Sequence, residues 1–119
     1  MTLHSGKWWE PLIEWRGTFE LVVTNPPYIP ESILLGLEPI VKDHEPHLAL
    51  SGGADGLQSF KEIFKKSKFF MKKDALIICE HHYDQSDVVL VLMRTNGLID
   101  VSFEKDLQGI KRFAIGKCP

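Results

Sequence analysis

The sequence predicts an α/β fold built around a largely parallel sheet, on three observations. Two short β-branched and apolar runs, Thr18 to Thr24 and Ala75 to Cys79, read as strands bounded by breakers. Two segments with helical spacing of their apolar residues follow them, Asp55 to Lys73 and Asp84 to Met93. A final pair of runs, Leu98 to Phe103 and Lys111 to Gly116, is split by a turn through Asp106 and Gly109 and reads as a closing antiparallel hairpin. Strands separated by helices imply crossover connections and parallel pairing.

Composition sets the class before any motif does. The chain has 119 residues, 44% of them hydrophobic and 25% charged, with a formal net charge of −2. That is one globular domain or part of one, with no polycationic character for gripping nucleic acid by charge. Two cysteines, Cys79 and Cys118, form no CxxC pair, and no signal peptide is visible, which fits a reduced cytoplasmic setting. No apolar run approaches the roughly 20 residues that a membrane-spanning helix needs.

The elements are justified in order. Met1 to Gly17 carries Trp8, Trp9 and Trp15 without a clean period. Thr18 to Thr24 has the composition of a buried strand, stopped by Asn25-Pro26-Pro27. Ile29 to Gly56 is rich in proline and glycine, with a short helix expected near Ser32 to Val41. So long an irregular stretch reads as a functional lid or a disordered segment. In Asp55 to Lys73, Leu57, Phe60, Ile63, Phe64 and Met71 share one face and Lys61, Lys65, Lys68 and Lys72 another. The lysines gather near the carboxyl end, where they suit the helix dipole. Asp84 or Ser86 is expected to cap the next helix, and Asn96-Gly97 to stop it. In the hairpin, Ile99, Val101 and Phe103 fall on one side.

The chemistry is expected at Asn25-Pro26-Pro27-Tyr28, because open α/β sheets bind ligands beyond the carboxyl ends of their strands. Each proline holds the residue before it extended, so Asn25 and Pro26 form a stiff turn. Pro26 has no N–H and offers its backbone only as an acceptor, Asn25 adds a side-chain carbonyl, and Tyr28 a flat ring. Two fixed acceptors beside an aromatic face suit a planar group ending in NH2. Holding both hydrogens while aiming the nitrogen at an electrophile is catalysis by orientation and electrostatics.

An Asn-Pro-Pro-Tyr tetrapeptide after an apolar strand resembles motif IV of the S-adenosylmethionine-dependent amino methyltransferases. The text Phe19 to Pro30, Leu37-Glu38-Pro39, Asp43 to Pro46, Leu48 to Leu57, Tyr83-Asp84-Gln85 and Lys105 to Gly109 resembles one branch of them, the protein-(glutamine-N5) methyltransferases that modify peptide chain release factors. The resemblance implies methyl transfer to the glutamine of the release factor's Gly-Gly-Gln loop. It assigns Asn25 and Pro26 to the amide hydrogens, Pro27 to the turn and Tyr28 to the amide plane. No strong base is needed beforehand, because the proton can leave once the nitrogen is cationic. Gly6-Lys7-Trp8-Trp9-Glu10-Pro11-Leu12 resembles the family's Gly-Asp-Trp-Phe-Glu-Pro-Leu, which implies that Trp8, together with Asn25, contacts the cofactor. Lys7 stands where the family has aspartate, His47 where it has arginine, and His81-His82 where it has Ile-Gly.

The resemblance begins at the fourth strand of a seven-stranded sheet ordered 3-2-1-4-5-7-6. Residues 1–119 are therefore expected to form the carboxyl-terminal half of a Rossmann-like class I methyltransferase domain, strands 4-5-7-6. The glycine-rich cofactor loop and the helical amino-terminal domain are not expected within it. The strand at residues 19–24 then becomes an apolar edge, which implies self-association or pairing with a complementary half. Weak or absent S-adenosylmethionine binding and little activity by the chain alone are implied with it.

Other readings of the residues compete. An adenine-N6 nucleic-acid methyltransferase would use the same tetrapeptide but predicts a basic groove, which the composition does not offer. A non-catalytic binding module could retain the NH2 pocket alone. His44, His47, His81 and His82 with Glu45 and Asp84 lack metal-site spacing, so no metal is expected. The Gly52-Gly53 stretch is not a dinucleotide loop, Cys79 reads as a buried small residue, and Glu80 stands at a strand end on the ligand side.

Overall fold

The computed structural model describes residues 2–26 and 57–119. Pro27, Tyr28, the expected lid with its short helix, His44, His47 and the Gly52-Gly53 turn lie outside the described residues. Four strands, β1 (Phe19–Thr24), β2 (Met71–Glu80), β3 (Ile99–Lys105) and β4 (Lys111–Lys117), form one sheet in the order β1-β2-β4-β3. β1 runs parallel to β2, and β4 runs antiparallel to both β2 and β3. This is the expected 4-5-7-6 order, with the second hairpin strand inserted beside β2. Helices α1 (Gln58–Lys65) and α2 (Ser67–Phe70) connect β1 to β2, and α3 (Ser86–Thr95) connects β2 to β3.

One face of the sheet meets the helices. Ala75, Ile77, Cys79 and Ala114 are buried there with Phe60, Ile63 and Phe64 of α1 and Val89, Leu90 and Met93 of α3. Gly116 belongs to this face: a Cβ on it would come within 3.2 Å of the Leu98 side chain and the Met93 sulfur. Before β1, a 3-10 turn at Glu10–Trp15 carries Trp9 into the core, where it stacks on Phe70 with ring centroids 4.7 Å apart. Its indole N–H donates to the Ile63 carbonyl at 2.8 Å.

Among the described residues, no element covers the other face where β1 meets β2. In the register Leu21 lies beside Leu76 and Val23 beside Ile78, and Leu21 is 56% and Val23 71% exposed. The composition of β1 reads as a buried strand, yet none of its residues is fully buried, because among the described residues β1 ends the sheet with a neighbour on one side. The apolar content is real; the partner layer is not among the described residues.

Four further expectations are corrected. The helix predicted through Lys73 breaks at Lys66, where the buried Ser67 hydroxyl bonds the Phe64 carbonyl at 2.9 Å. Met71, counted on the helix face, is instead the first residue of β2 and sits opposite Phe19. Neither Asp84 nor Ser86 caps α3: a 3-10 turn at Tyr83–Gln85 precedes it, tied by the Gln85 side chain accepting the His82 N–H at 3.0 Å. Ile99 leaves the face of Val101 and Phe103, because Asp100 adopts φ 50° and the register slips between Ile99 and Ser102. The stop at Asn96-Gly97 holds. Gly97 at φ 87° donates to Arg94 and Leu98 to Met93, a Schellman ending that glycine permits without strain.

Ile77 has no exposed surface and joins both packed layers. Replacing it by alanine is expected to lower the unfolding free energy by about 3 kcal/mol in a denaturant titration. A loss below about 1 kcal/mol would contradict this packing.

Candidate active site at the strand ends

The parallel pair β1 and β2 brings the candidate site together. Thr24 lies opposite Cys79, so Asn25-Pro26 and Glu80-His81 leave the ladder side by side at its carboxyl end. Pro26 is fully buried, whereas Asn25 is exposed. Among the described residues no donor is bonded to the Asn25 side chain or to the Pro26 carbonyl. The proline that follows restrains the backbone at Asn25 to extended conformations.

The β2 side of the site is rigid. The His81 N–H donates to the Arg112 carbonyl at 2.9 Å, carrying the ladder with β4 one residue past the strand. His81 is fully buried. Its Nδ1 lies 2.7 Å from the His82 carbonyl oxygen, which can only accept, so Nδ1 carries the proton. Its Nε2 has no hydrogen-bond partner among the described residues. Burial, with some help from Arg112 nearby, holds this imidazole neutral below its ordinary range. Next to it, His82 Nδ1 and Asp84 Oδ1 are 2.5 Å apart at the surface. Cys79 is fully buried, and burial pushes its thiol well up, as befits an inert core residue. Glu80 is half-buried at the end of β2.

The sequence links Trp8 to the same site by position alone, and the structure gives it a defined setting. Trp8 is half-buried against the core, with its backbone at φ 50°. Its indole N–H donates to Glu62 Oε2 of α1 at 2.7 Å. The other oxygen of Glu62 accepts from Gln58 at 3.1 Å and from Lys7 at 3.4 Å. These bonds, that from Gln58 foremost, hold the Glu62 carboxyl below the usual carboxylate range. Trp15 is 38% exposed and lies edge-on to His4, away from the core. An apolar hollow of about 230 Å³ is lined by Trp9, Glu10, Ile13, Lys66, Phe69 and Phe70, none of which is an expected site residue.

Two features escaped the sequence. His81 was marked only as a departure from a pattern, and its burial and fixed tautomer follow from its place past the ladder. Glu62 was hidden in the lysine-rich helix. The local signal was a lone acid among Lys61, Lys65 and Lys66, whose partner lies 54 residues upstream. Among the described residues no cluster of metal-ligating side chains occurs, and no helix is long and apolar enough to cross a membrane.

His81 makes stability depend on pH in one direction. With its folded-state pKa below the ordinary 6.5, the group is neutral in both states above pH 6.5 and its contribution is complete there. As the pH falls below that value the unfolded chain takes up the proton first, and stability is lost until the folded-state pKa is passed. His81→Leu is expected to flatten this slope in denaturant titrations run at a series of pH values; an unchanged slope would show that His81 is not held neutral.

No family model matches the chain. It is similar throughout to a release factor glutamine methyltransferase of Prochlorococcus marinus, 47% identical over 119 residues, which is 100% of this chain and 41% of that protein. A protein of the same name from Synechocystis is 40% identical over 111 residues, 92% of this chain and 37% of its own length. One from Caulobacter vibrioides is 43% identical over 99 residues, covering 83% of this chain and 34% of itself. The chain spans about 40% of the length of the first of these curated relatives.

Proposed function

From its homology to the carboxyl-terminal half of the release factor glutamine methyltransferases, we propose that this chain carries the amide-holding part of such an enzyme. The substrate is the side-chain nitrogen of a glutamine in the Gly-Gly-Gln loop of a peptide chain release factor, and S-adenosylmethionine is the methyl donor. The observation that carries this reading is the exposed Asn25, without a hydrogen-bond partner among the described residues, beside buried Pro26 at the carboxyl end of a parallel strand.

In this mechanism the Asn25 side-chain oxygen and the Pro26 carbonyl accept the two amide hydrogens. Pro27 holds the turn and Tyr28 packs on the amide plane. An amide nitrogen is a poor nucleophile, and two acceptors aligned on its hydrogens both orient its lone pair and stabilise the positive charge it gains. When bound, S-adenosylmethionine supplies a methyl group, the carbon–sulfur bond breaking with its electron pair left on sulfur. The nitrogen, cationic after methylation, then loses a proton to water.

The described residues fit that cofactor in kind. The edge N–H of Trp8 is taken by Glu62, so what Trp8 offers a ligand is the face of its ring, which suits a flat base. The 119 residues alone are proposed to bind the cofactor weakly and to turn over little, since they span 41% of the Prochlorococcus relative. A cytoplasmic location belongs to the same proposal, because the proposed substrate is a translation factor.

The edge of β1, unpaired among the described residues, and the apolar patch of Leu21, Val23 and Leu76 support a second part of the reading, association along β1. Parallel sheets are normally covered on both faces, and a free apolar edge pairs readily. The partner is another copy of this chain or a segment equivalent to the amino-terminal part of the relatives. The double variant Leu21→Lys, Val23→Glu is expected to sediment as a monomer at concentrations where the parent associates; a parent monomeric at high concentration would overturn this part.

Activity is tested in this chain joined to the amino-terminal portion of the Prochlorococcus relative, with release factor methylation read by mass spectrometry. Asn25→Ala is expected to slow methylation by roughly 100-fold or more, as for loss of a charge-stabilising group. Near-parental rates, or methylation of DNA adenine in place of the release factor, would contradict the proposal.

A further inference from the structure

The clearest feature that the proposed reaction leaves unused is the carboxylate of Glu62. It joins the amino-terminal segment to α1 through Trp8 and Lys7, with Gln58 of α1 itself as a third donor. Trp8 donates to one oxygen at 2.7 Å, while Gln58 at 3.1 Å and Lys7 at 3.4 Å donate to the other. Glu62 has only 31% of its side chain exposed, and its bond from Trp8 is part-buried. Trp8 holds φ 50°, a left-handed conformation that a bulky residue avoids unless its surroundings over-determine it. The neighbouring Trp9 is buried and fixed by the Ile63 carbonyl. Two adjacent indoles are therefore pinned to consecutive residues of one helix, one by a backbone carbonyl in the core and one by a carboxylate nearer the surface.

We propose that Glu62 is a positioning residue for Trp8: its carboxylate holds the indole N–H, fixes the ring's orientation and sustains the strained backbone beneath it. This deepens the proposed function, since it rests on Trp8 being the ring that receives the base of the cofactor. A charged acceptor makes a shorter and stronger bond than a neutral one, which is how one side chain can offset the conformational cost at Trp8. Lys7 and Gln58 keep the carboxylate ionised and aimed. Glu62 does not touch the reacting atoms, and its effect is exerted through the ring.

The test uses the 15N-labelled chain as it exists and reads the three indole N–H signals by NMR, with adenosine as the probe ligand. In Glu62→Ala the Trp8 signal is expected to move upfield and to exchange with solvent at least ten-fold faster, while the Trp9 signal reports an unchanged fold. Glu62→Gln, which keeps an oxygen acceptor, should restore most of the protection, and Lys7→Ala should leave it in place. Adenosine should perturb the Trp8 signal of the parent and, in Glu62→Ala, do so only at concentrations at least ten-fold higher. A Trp8 signal in Glu62→Ala with parental position and exchange would overturn the proposal. So would loss of the Trp9 signal along with it and no rescue by Glu62→Gln, which would make Glu62 merely structural. If the Trp8 signal collapses in Glu62→Ala but adenosine leaves the parent untouched even when the chain is joined to the amino-terminal portion of the Prochlorococcus relative, the positioning role stands and the cofactor reading of Trp8 fails.

Discussion

The parallel pairing of β1 with β2 is the constraint on which the ligand side of this molecule depends. Opposing Thr24 to Cys79 brings the ends of both strands to one level, so the Asn25 turn and the His81 clamp emerge together. A one-residue slip would turn Val22 and Thr24 away from the helices and re-aim the Asn25 side chain. β4 stiffens the arrangement from the other side of β2, bonding one residue beyond the strand through Arg112. Rigidity here comes from the ladder and from proline, and neither depends on a large core.

The core itself is one-sided. Helices α1 and α3 cover the face that holds Ile77, Cys79 and Ala114, and Gly116 lets Met93 and Leu98 come close. The reverse face leaves Leu21 and Val23 in water, which is costly for residues whose burial normally drives folding. That asymmetry gives physical sense to the relation with longer relatives. The strand that leads to Asn25 also carries this exposed apolar surface.

Much of this was legible in the sequence where local pattern and tertiary structure agree. The strand order, the hairpin, the Asn96-Gly97 stop and the buried Cys79 followed from alternation, glycine chemistry and the resemblance. The failures share a cause. Met71 continued the helical period of Phe60 and Phe64, yet strand pairing with Phe19 claimed it. Ile99 kept the alternation of its run until the left-handed Asp100 put a bulge in the strand. At the site, the end of β1 before Asn25-Pro26 was readable because proline cannot continue a ladder. The Glu62–Trp8 bond was not, because it joins residues 54 positions apart and no local pattern reports such a contact.

The central claim is that two fixed oxygens receive a flat amino group, and a crystal structure is its most direct test. The chain, joined to the amino-terminal portion of its Prochlorococcus relative, would be crystallised with a Gly-Gly-Gln peptide. The account predicts the glutamine nitrogen about 3 Å from both the Asn25 side-chain oxygen and the Pro26 carbonyl. A glutamine amide bound elsewhere, or an Asn25 oxygen bonded to one of the protein's own donors, would contradict it.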